Sequence, residues 1–159
     1  MLTTAPAMPC DGRQSATAVA VARGAQRFLR SLGLACVSEL PLASGRRADL
    51  VALSGDGEVW IIEIKSSVED FRADRKWPDY RLHCDRLFFA TAPHVPSAIF
   101  PEDAGLILAD GFGGALVRDA PEHRLHPSTR RSMMLAFARA AALRLQALAD
   151  PAGRFDERI

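Results

Sequence analysis

The spacing of apolar positions changes several times along this chain, and each change marks a predicted element. From Ser15 onward, apolar residues recur every three or four positions, which is typical of a helix with one buried face. Gly33 is the predicted end of this helix. The predicted buried stripe comprises Val21, Ala25, Phe28, Leu29 and Leu32, and three arginines fall on another side, Arg23, Arg27 and Arg30.

Shorter apolar blocks follow, and they predict β-strands. A turn with the sequence SGDGE separates two of these blocks and indicates a hairpin. The predicted strands span residues 34–42, 48–54, 59–67, 85–92, 105–110 and 114–119.

Two further helices are predicted. The first spans residues 68–76, because Ser66 and Glu69 have the spacing of a capping box and the residue before Pro78 avoids the helical region. The second is an alanine-rich helix over residues 128–148. Its predicted buried stripe comprises Met134, Phe137, Ala138, Ala141, Leu145 and Leu148.

The order of these elements predicts the fold class. A helix, three strands, a helix, three strands and a helix indicate an α/β protein with one mixed central β-sheet flanked by helices. We predict a single domain over residues 15–150, a flexible N-terminal segment over residues 1–14 and a frayed tail over residues 151–159.

Composition narrows the class of protein without identifying it. The chain has 20 basic and 19 acidic residues and a net charge of +1, so any binding to phosphates has to come from a local patch. The spacing of Cys10, Cys36 and Cys84 favours free thiols in a reducing cytosol. The sequence has no signal peptide, membrane span, P-loop or dinucleotide fingerprint. We therefore predict a soluble cytoplasmic protein with no membrane partner and no nucleotide cofactor.

The segment VWIIEIKSS, residues 59–67, places two charged residues inside a strand that should be buried. If residues 55–57 form a three-residue hairpin loop, Ser54 lies opposite Glu58, and the same register brings Asp49 opposite Glu63. Directly opposed residues share one face of the sheet, and Lys65 shares that face because side chains alternate. The predicted register therefore gathers two carboxylates and an amine on one side of the sheet.

Two buried carboxylates this close repel each other unless a cation compensates them. Mg²⁺ prefers oxygen ligands and binds through one or two carboxylates together with waters. We therefore predict that Asp49, Glu63 and the backbone carbonyl of Ile64 bind Mg²⁺ or Mn²⁺, with Lys65 stabilising developing negative charge. The alternative is an ordinary Glu–Lys pair on a solvated face of the sheet.

These residues resemble the PD-(D/E)XK signature of restriction-endonuclease-like nucleases. Asp49 and the sequence Glu63-Ile64-Lys65 match the motif, although Arg47-Ala48 stand where the motif has its proline. The resemblance implies an αβββαβ core and a catalytic site of Asp49, Glu63 and Lys65, with Glu39 at an additional acidic position. Residues 18–119 are also similar to the MmcB-like family of DNA-repair endonucleases.

Several basic residues and one tyrosine are candidate DNA contacts. Arg46 and Arg47 are predicted to contact a phosphate or to pair with a nearby acid. Tyr80 is predicted to stack on an unpaired base, to cap the core beside the helix end or to reach the site by a hydrogen bond. Two further phosphate-binding patches are predicted, for which a merely solvated helix surface is the alternative: one comprises Arg72, Arg75 and Lys76, and the other comprises Arg23, Arg27 and Arg30.

We therefore predict a metal-dependent DNA endonuclease that acts in DNA repair, with DNA as its partner. Since many members of that superfamily act as dimers, a homodimer is one expectation. The alternative is a catalytically inactive module of the same fold that binds DNA or acts as an adaptor. A pure protein-interaction domain is a third hypothesis, with an exposed apolar patch on the helix that carries Met133 and Met134.

Overall fold

A computed structural model describes residues 14–153, and its centre is one six-stranded mixed sheet. The strands lie in chain order across the sheet; β3, β4 and β5 are parallel to one another, and the other neighbours are antiparallel. This arrangement confirms the predicted fold class. The strands are β1 Ala35–Pro41, β2 Arg47–Leu53, β3 Val59–Lys65, β4 Arg86–Thr91, β5 Gly105–Ala109 and β6 Gly114–Arg118, and the helices are α1 Ala16–Ser31, α2 Val68–Ala73 and α3 Pro127–Ala149.

The first helix begins and packs as its sequence predicts. Ser15 caps α1, because its side chain accepts a hydrogen bond from the N–H of Ala18 at 3.1 Å. Val21, Ala25 and Leu29 are buried against the sheet. Leu32, which was predicted to lie in the same stripe, is exposed, because it is the C-cap residue and the chain turns away there.

The hairpin of β2 and β3 has the predicted register. Leu50 lies opposite Ile62, Leu53 lies opposite Val59, and the N–H of Ser54 donates to the carbonyl of Glu58 at 3.0 Å. This register confirms that Asp49 and Glu63 occupy facing positions one step beyond the observed pairs.

The crossover from β3 to β4 differs from its prediction. The cap of α2 is Ser67, one residue later than predicted, and its side chain accepts from the N–H of Asp70. The helix ends at Ala73, because Asp74 is extended and its carboxylate accepts the N–H of Lys76. The chain then forms a 3₁₀-helix, Trp77–His83, that the sequence analysis missed.

The predicted buried stripe of α3 was wrong in part. Met133 is its one fully buried residue within the described part of the chain, whereas Met134, Leu145 and Leu148 are exposed. Apolar residues occur all around this helix, so their spacing did not single out one face.

One long helix covers each face of the sheet. α1 packs on one face, over a core that contains Ile62, Phe88 and Leu106, and α3 packs on the other face, near Ile61 and Leu87. No helix within residues 14–153 is long and apolar enough to cross a membrane. The predicted flexible segment and tail fall mostly on residues 1–13 and 154–159, which lie outside the described residues.

Candidate active site

A cleft of about 840 Å³ opens between one side of α1 and the middle of the sheet. The predicted site residues Glu39, Asp49, Glu63, Ile64 and Lys65 all line this cleft. They come from three adjacent strands, so the register of the sheet determines their positions. Residues from other elements that line the same cleft include Arg23, Arg27, Asp70 and Asp74.

The carboxylates of Asp49 and Glu63 occupy the point where the β2–β3 ladder ends. The N–H of Asp49 donates to Oε1 of Glu63 at 3.2 Å, and the N–H of Ile64 donates to Oδ2 of Asp49 at 2.8 Å. Beyond the Leu50–Ile62 pair, these side chains accept the N–H groups in place of backbone carbonyls of the neighbouring strand. In an extended strand, the carbonyl and N–H of one residue point to the same neighbour, so the Ile64 carbonyl also faces β2.

Burial raises the pKa values of both acids. The pKa of Asp49 is raised to about 6, chiefly by burial. That of Glu63, which is 3% exposed, is raised to about 9 by burial and by the charge of Asp49. Near neutral pH Glu63 therefore holds a proton, which a cation bound to the pair would displace.

Lys65 lies beside these acids but binds a third one. Its ammonium contacts Oδ2 of Asp74 at 2.6 Å. Burial alone would lower the pKa of Lys65, but the hydrogen bond and charge of Asp74 hold it above its usual value. Lys65 is therefore a protonated, firmly held cation in the wall of the cleft.

Glu39 is held at the edge of the cleft by strained backbone and by Arg47. It lies opposite Asp49 in the β1–β2 register but has a φ of 51°, a left-handed conformation that costs a non-glycine residue free energy. Its carboxylate pairs with Arg47 at 2.5 Å. Arg144 of α3 donates to the carbonyls of Ser38 and Glu39, which holds this bend.

The predicted DNA contacts differ in their exposure and in whether an acid already binds them. Arg46 pairs with Asp79 at 2.9 Å, so both arginines before Asp49 have acidic partners. Tyr80 is 7% exposed, and its hydroxyl donates to the carbonyl of Arg47 at 3.0 Å. The ring of Tyr80 therefore lies in the core, where a base cannot stack on it. The predicted patch is exposed: Arg72 lies in α2, and Arg75 and Lys76 follow its end.

Two carboxylates and one carbonyl are the kinds of oxygen donor that a hard divalent cation takes. Within residues 14–153, no group of three or more His, Cys, Asp or Glu side chains is arranged to hold a metal ion. Mg²⁺ does not require such a group, because it keeps several waters and takes few protein ligands. The observation that fits a cation is the placement of the Asp49 and Glu63 carboxylates at one point of the cleft wall, each held by a backbone N–H.

Sequence reasoning missed Asp74, but it had singled out the arginines of α1 as a candidate phosphate-binding patch. Asp74 reaches Lys65 because α2 ends early, and no local pattern in the sequence indicated that end. A signal for α1 was present, since its arginines recur on the side away from the buried stripe. Two of these, Arg23 and Arg27, line the cleft.

Comparison with known proteins places this architecture in a family. A family model described as DNA repair protein MmcB-like matches residues 5–152. The chain therefore belongs to the MmcB-like family of DNA repair proteins. A solved structure, the SPO1766 protein of unknown function from Silicibacter pomeroyi, is 42% identical; the match covers 91% of this chain and 99% of that chain, with a TM-score of 0.86. A search of curated proteins found no match.

Proposed function

We propose that this protein is a metal-dependent DNA endonuclease of the PD-(D/E)XK type that acts in DNA repair. One observation carries the proposal: the interlocked carboxylates of Asp49 and Glu63, with raised pKa values, lie in a cleft beside a protonated lysine. A merely structural Glu–Lys pair would match one carboxylate to one amine, whereas here two carboxylates lie beside a lysine whose ammonium contacts Asp74. Membership of a DNA repair family supports DNA as the substrate.

Asp49, Glu63 and the carbonyl of Ile64 would hold Mg²⁺ or Mn²⁺. A divalent ion bound there supplies positive charge that polarises a phosphate and activates water as a nucleophile. The two backbone N–H donors fix the carboxylates of Asp49 and Glu63, so these groups need little rearrangement to act as ligands.

The remaining residues of the cleft bind and orient the substrate. Lys65, kept protonated by Asp74, stabilises negative charge as it develops on the attacked phosphate. Arg47 pairs with Glu39, and Arg46 pairs with Asp79. Each arginine would leave its acid to contact a phosphate of the DNA. Glu39 acts in the outer part of the site, and a flanking segment of DNA contacts the exposed patch of Arg72, Arg75 and Lys76.

Cleavage of DNA by the purified protein tests this proposal. We expect nicking of plasmid and cutting of single-stranded or flapped DNA with Mg²⁺ or Mn²⁺, and none with EDTA. Asp49→Asn and Lys65→Met should each lower the rate by at least about 100-fold, the scale for removing one transition-state contact. Asp119→Asn, an exposed acid elsewhere, is the matched control. Undiminished cutting by Asp49→Asn would contradict the assignment.

A second candidate function is a DNA-binding module without catalysis. The contact of Lys65 with Asp74 favours it, because that ion pair uses the charge that a catalytic lysine offers to substrate. In this case DNA binding falls with salt, no divalent ion produces cleavage, and Asp49→Asn leaves binding intact or tightens it by removing negative charge.

A further inference from the structure

A solvent-exposed phenylalanine is presented by the turn between β5 and β6. Phe112 is 85% exposed, a larger fraction than for any other large apolar side chain of residues 14–153. Its turn is well held: the carboxylate of Asp110 accepts the N–H groups of Phe112 and Gly113 at 2.8 and 3.0 Å, and the N–H of Asp110 donates to the carbonyl of Gly113. The exposed ring is therefore held outward by an ordered turn.

This turn is fastened to α1, the helix that forms one wall of the cleft. Gly24 lies against the turn so closely that a Cβ there would overlap the carbonyl oxygens of Asp110 and Gly113. The guanidinium of Arg27 donates to the carbonyl of Phe112 at 3.1 Å. Phe112 therefore has a fixed position relative to the cleft, because Arg27 both lines the cleft and binds the turn.

The wall between the carboxylates and Phe112 is basic. Arg23 and Arg27 lie one helical turn apart on the side of α1 that lines the cleft. Within the described residues, Arg23 has no hydrogen bond or ion pair. From Ser15 to Arg27, α1 runs along the cleft for about 18 Å, at 1.5 Å per residue. At about 3.4 Å per phosphate, that length matches about five nucleotides of one strand, and fewer if the strand is stretched.

We propose that the cleft and Phe112 form a binding path for an unpaired strand of DNA. The strand passes the carboxylates, its phosphates contact Arg23 and Arg27, and one of its bases stacks on Phe112. A base offers its face to a protein ring only when it is unpaired and unstacked from its neighbours. A cleft of about 840 Å³ also has the size of a small-ligand pocket, which suits one strand better than a duplex.

The charge next to Phe112 favours nucleic acid over an apolar partner. Arg27 binds the turn, Arg23 lies one helical turn before it, and both line the cleft that also contains the acids. Cationic side chains along one wall and an exposed aromatic ring at its end are features that proteins use to bind single strands without sequence preference. The inference rests on the proposed function insofar as that function makes DNA the substrate, but it concerns binding and does not require cleavage.

Fluorescence anisotropy with the full chain tests the path. A labelled oligothymidylate is titrated in EDTA, so that binding is measured without cleavage, alongside a duplex of equal length. Phe112→Ala should weaken binding of the single strand by about 5- to 150-fold, the range for loss of one stacked base, and leave duplex binding unchanged. Phe112→Trp should restore it. Arg23→Gln should weaken it and make the slope of log affinity against log salt shallower by about 0.7.

Two exposed positions on α3 provide matched controls. Leu145→Ala and Arg139→Gln change an apolar and a basic side chain outside the cleft and should leave affinity unchanged. Wild-type affinity in Phe112→Ala overturns the inference, as does a change confined to the oligomeric state, which would make Phe112 a protein contact. If Phe112→Ala loses single-strand binding but the wild-type protein cleaves no DNA, the endonuclease proposal is overturned and the binding path stands. Cleavage that is indifferent to Phe112 and Arg23 overturns the path alone.

Discussion

At the scale of single residues, Asp49 and Glu63 each perform two tasks. As acids they offer oxygens to the cleft, and as hydrogen-bond acceptors they satisfy N–H groups where β2 and β3 separate. The sequence predicted their facing positions, because turn chemistry and strand alternation determine a hairpin register. It did not predict the partner of Lys65, because Asp74 comes from a segment whose path depends on where α2 ends.

Replacing the buried acid Glu63 with its neutral isostere should stabilise the fold in the absence of metal. The pKa of Glu63 is raised to about 9, so the folded chain binds more protons than the unfolded chain between about pH 4.3 and that value. Stability therefore falls as pH rises through this interval. We expect Glu63→Gln to raise the free energy of unfolding at pH 8 by about 1–3 kcal/mol.

Urea denaturation in EDTA at pH 6 and pH 8 measures this effect. The wild-type protein should lose stability between the two values, and Glu63→Gln should lose less. Equal pH dependence in both proteins would show that Glu63 is not the group responsible. Asp103→Asn serves as a comparison, because that carboxylate is 69% exposed and pairs at the surface.

At the scale of elements, Asp85 joins segments that lie far apart in the sequence. It is 1% exposed, and its carboxylate accepts from the N–H of Val59 in β3, from the N–H of Leu125 and from the guanidinium of Arg130 in α3. The sequence predicted that α3 exists but not which face packs, because its alanine-rich stretch lacks a single apolar side. Contacts such as the Asp85–Arg130 pair, rather than helix periodicity, position α3.

Removing the charge of Asp85 should loosen α3 and the start of β3 together. Burial alone would raise the pKa of Asp85, but the hydrogen bonds from Arg130, Val59 and Leu125 hold it below its usual value. Such a carboxylate stabilises the fold above its unfolded pKa of about 3.9, and the effect is lost as pH falls through the lower folded value.

We expect Asp85→Asn to lower the free energy of unfolding at pH 7 by about 3 kcal/mol, because Arg130 loses its buried partner. The deficit should shrink at acid pH, where the wild-type carboxyl is also neutral. Chemical denaturation at several pH values measures it, with Asp103→Asn expected to change stability by less than about 0.5 kcal/mol. A deficit independent of pH would argue against an electrostatic origin.

At the scale of the whole molecule, the basic residues are clustered in patches although the net charge is close to zero. A net charge of +1 gives no general attraction for DNA, yet the cleft wall carries Arg23 and Arg27, and a second basic patch lies beside α2. The fold class could be predicted because the order of elements was clear. The cleft could not be predicted, because it depends on how α1 crosses the sheet at Gly24.

The salt dependence of DNA binding should therefore be shallow for a short single strand. If about three cations meet its phosphates, log affinity against log salt should have a slope of about −2, at about −0.7 per phosphate. Adding a duplex flank should steepen the slope by about 2.7, at about −0.9 per phosphate, through Arg72, Arg75 and Lys76. Anisotropy across a salt series measures both slopes. A flank effect that persists in the double variant Arg72→Gln/Arg75→Gln would place the duplex elsewhere.

The opening between β2 and β3 also bears on how relatives of this chain should be compared. Asp49 and Glu63 accept main-chain N–H groups where β2 and β3 separate, so selection for folding alone would keep a hydrogen-bond acceptor at each position, either the acid or its amide. The ammonium of Lys65, by contrast, binds the side chain of Asp74 and supports no main-chain group. In a relative that has abandoned hydrolysis, the lysine should therefore drift first, which makes position 65 the more telling marker of a working enzyme.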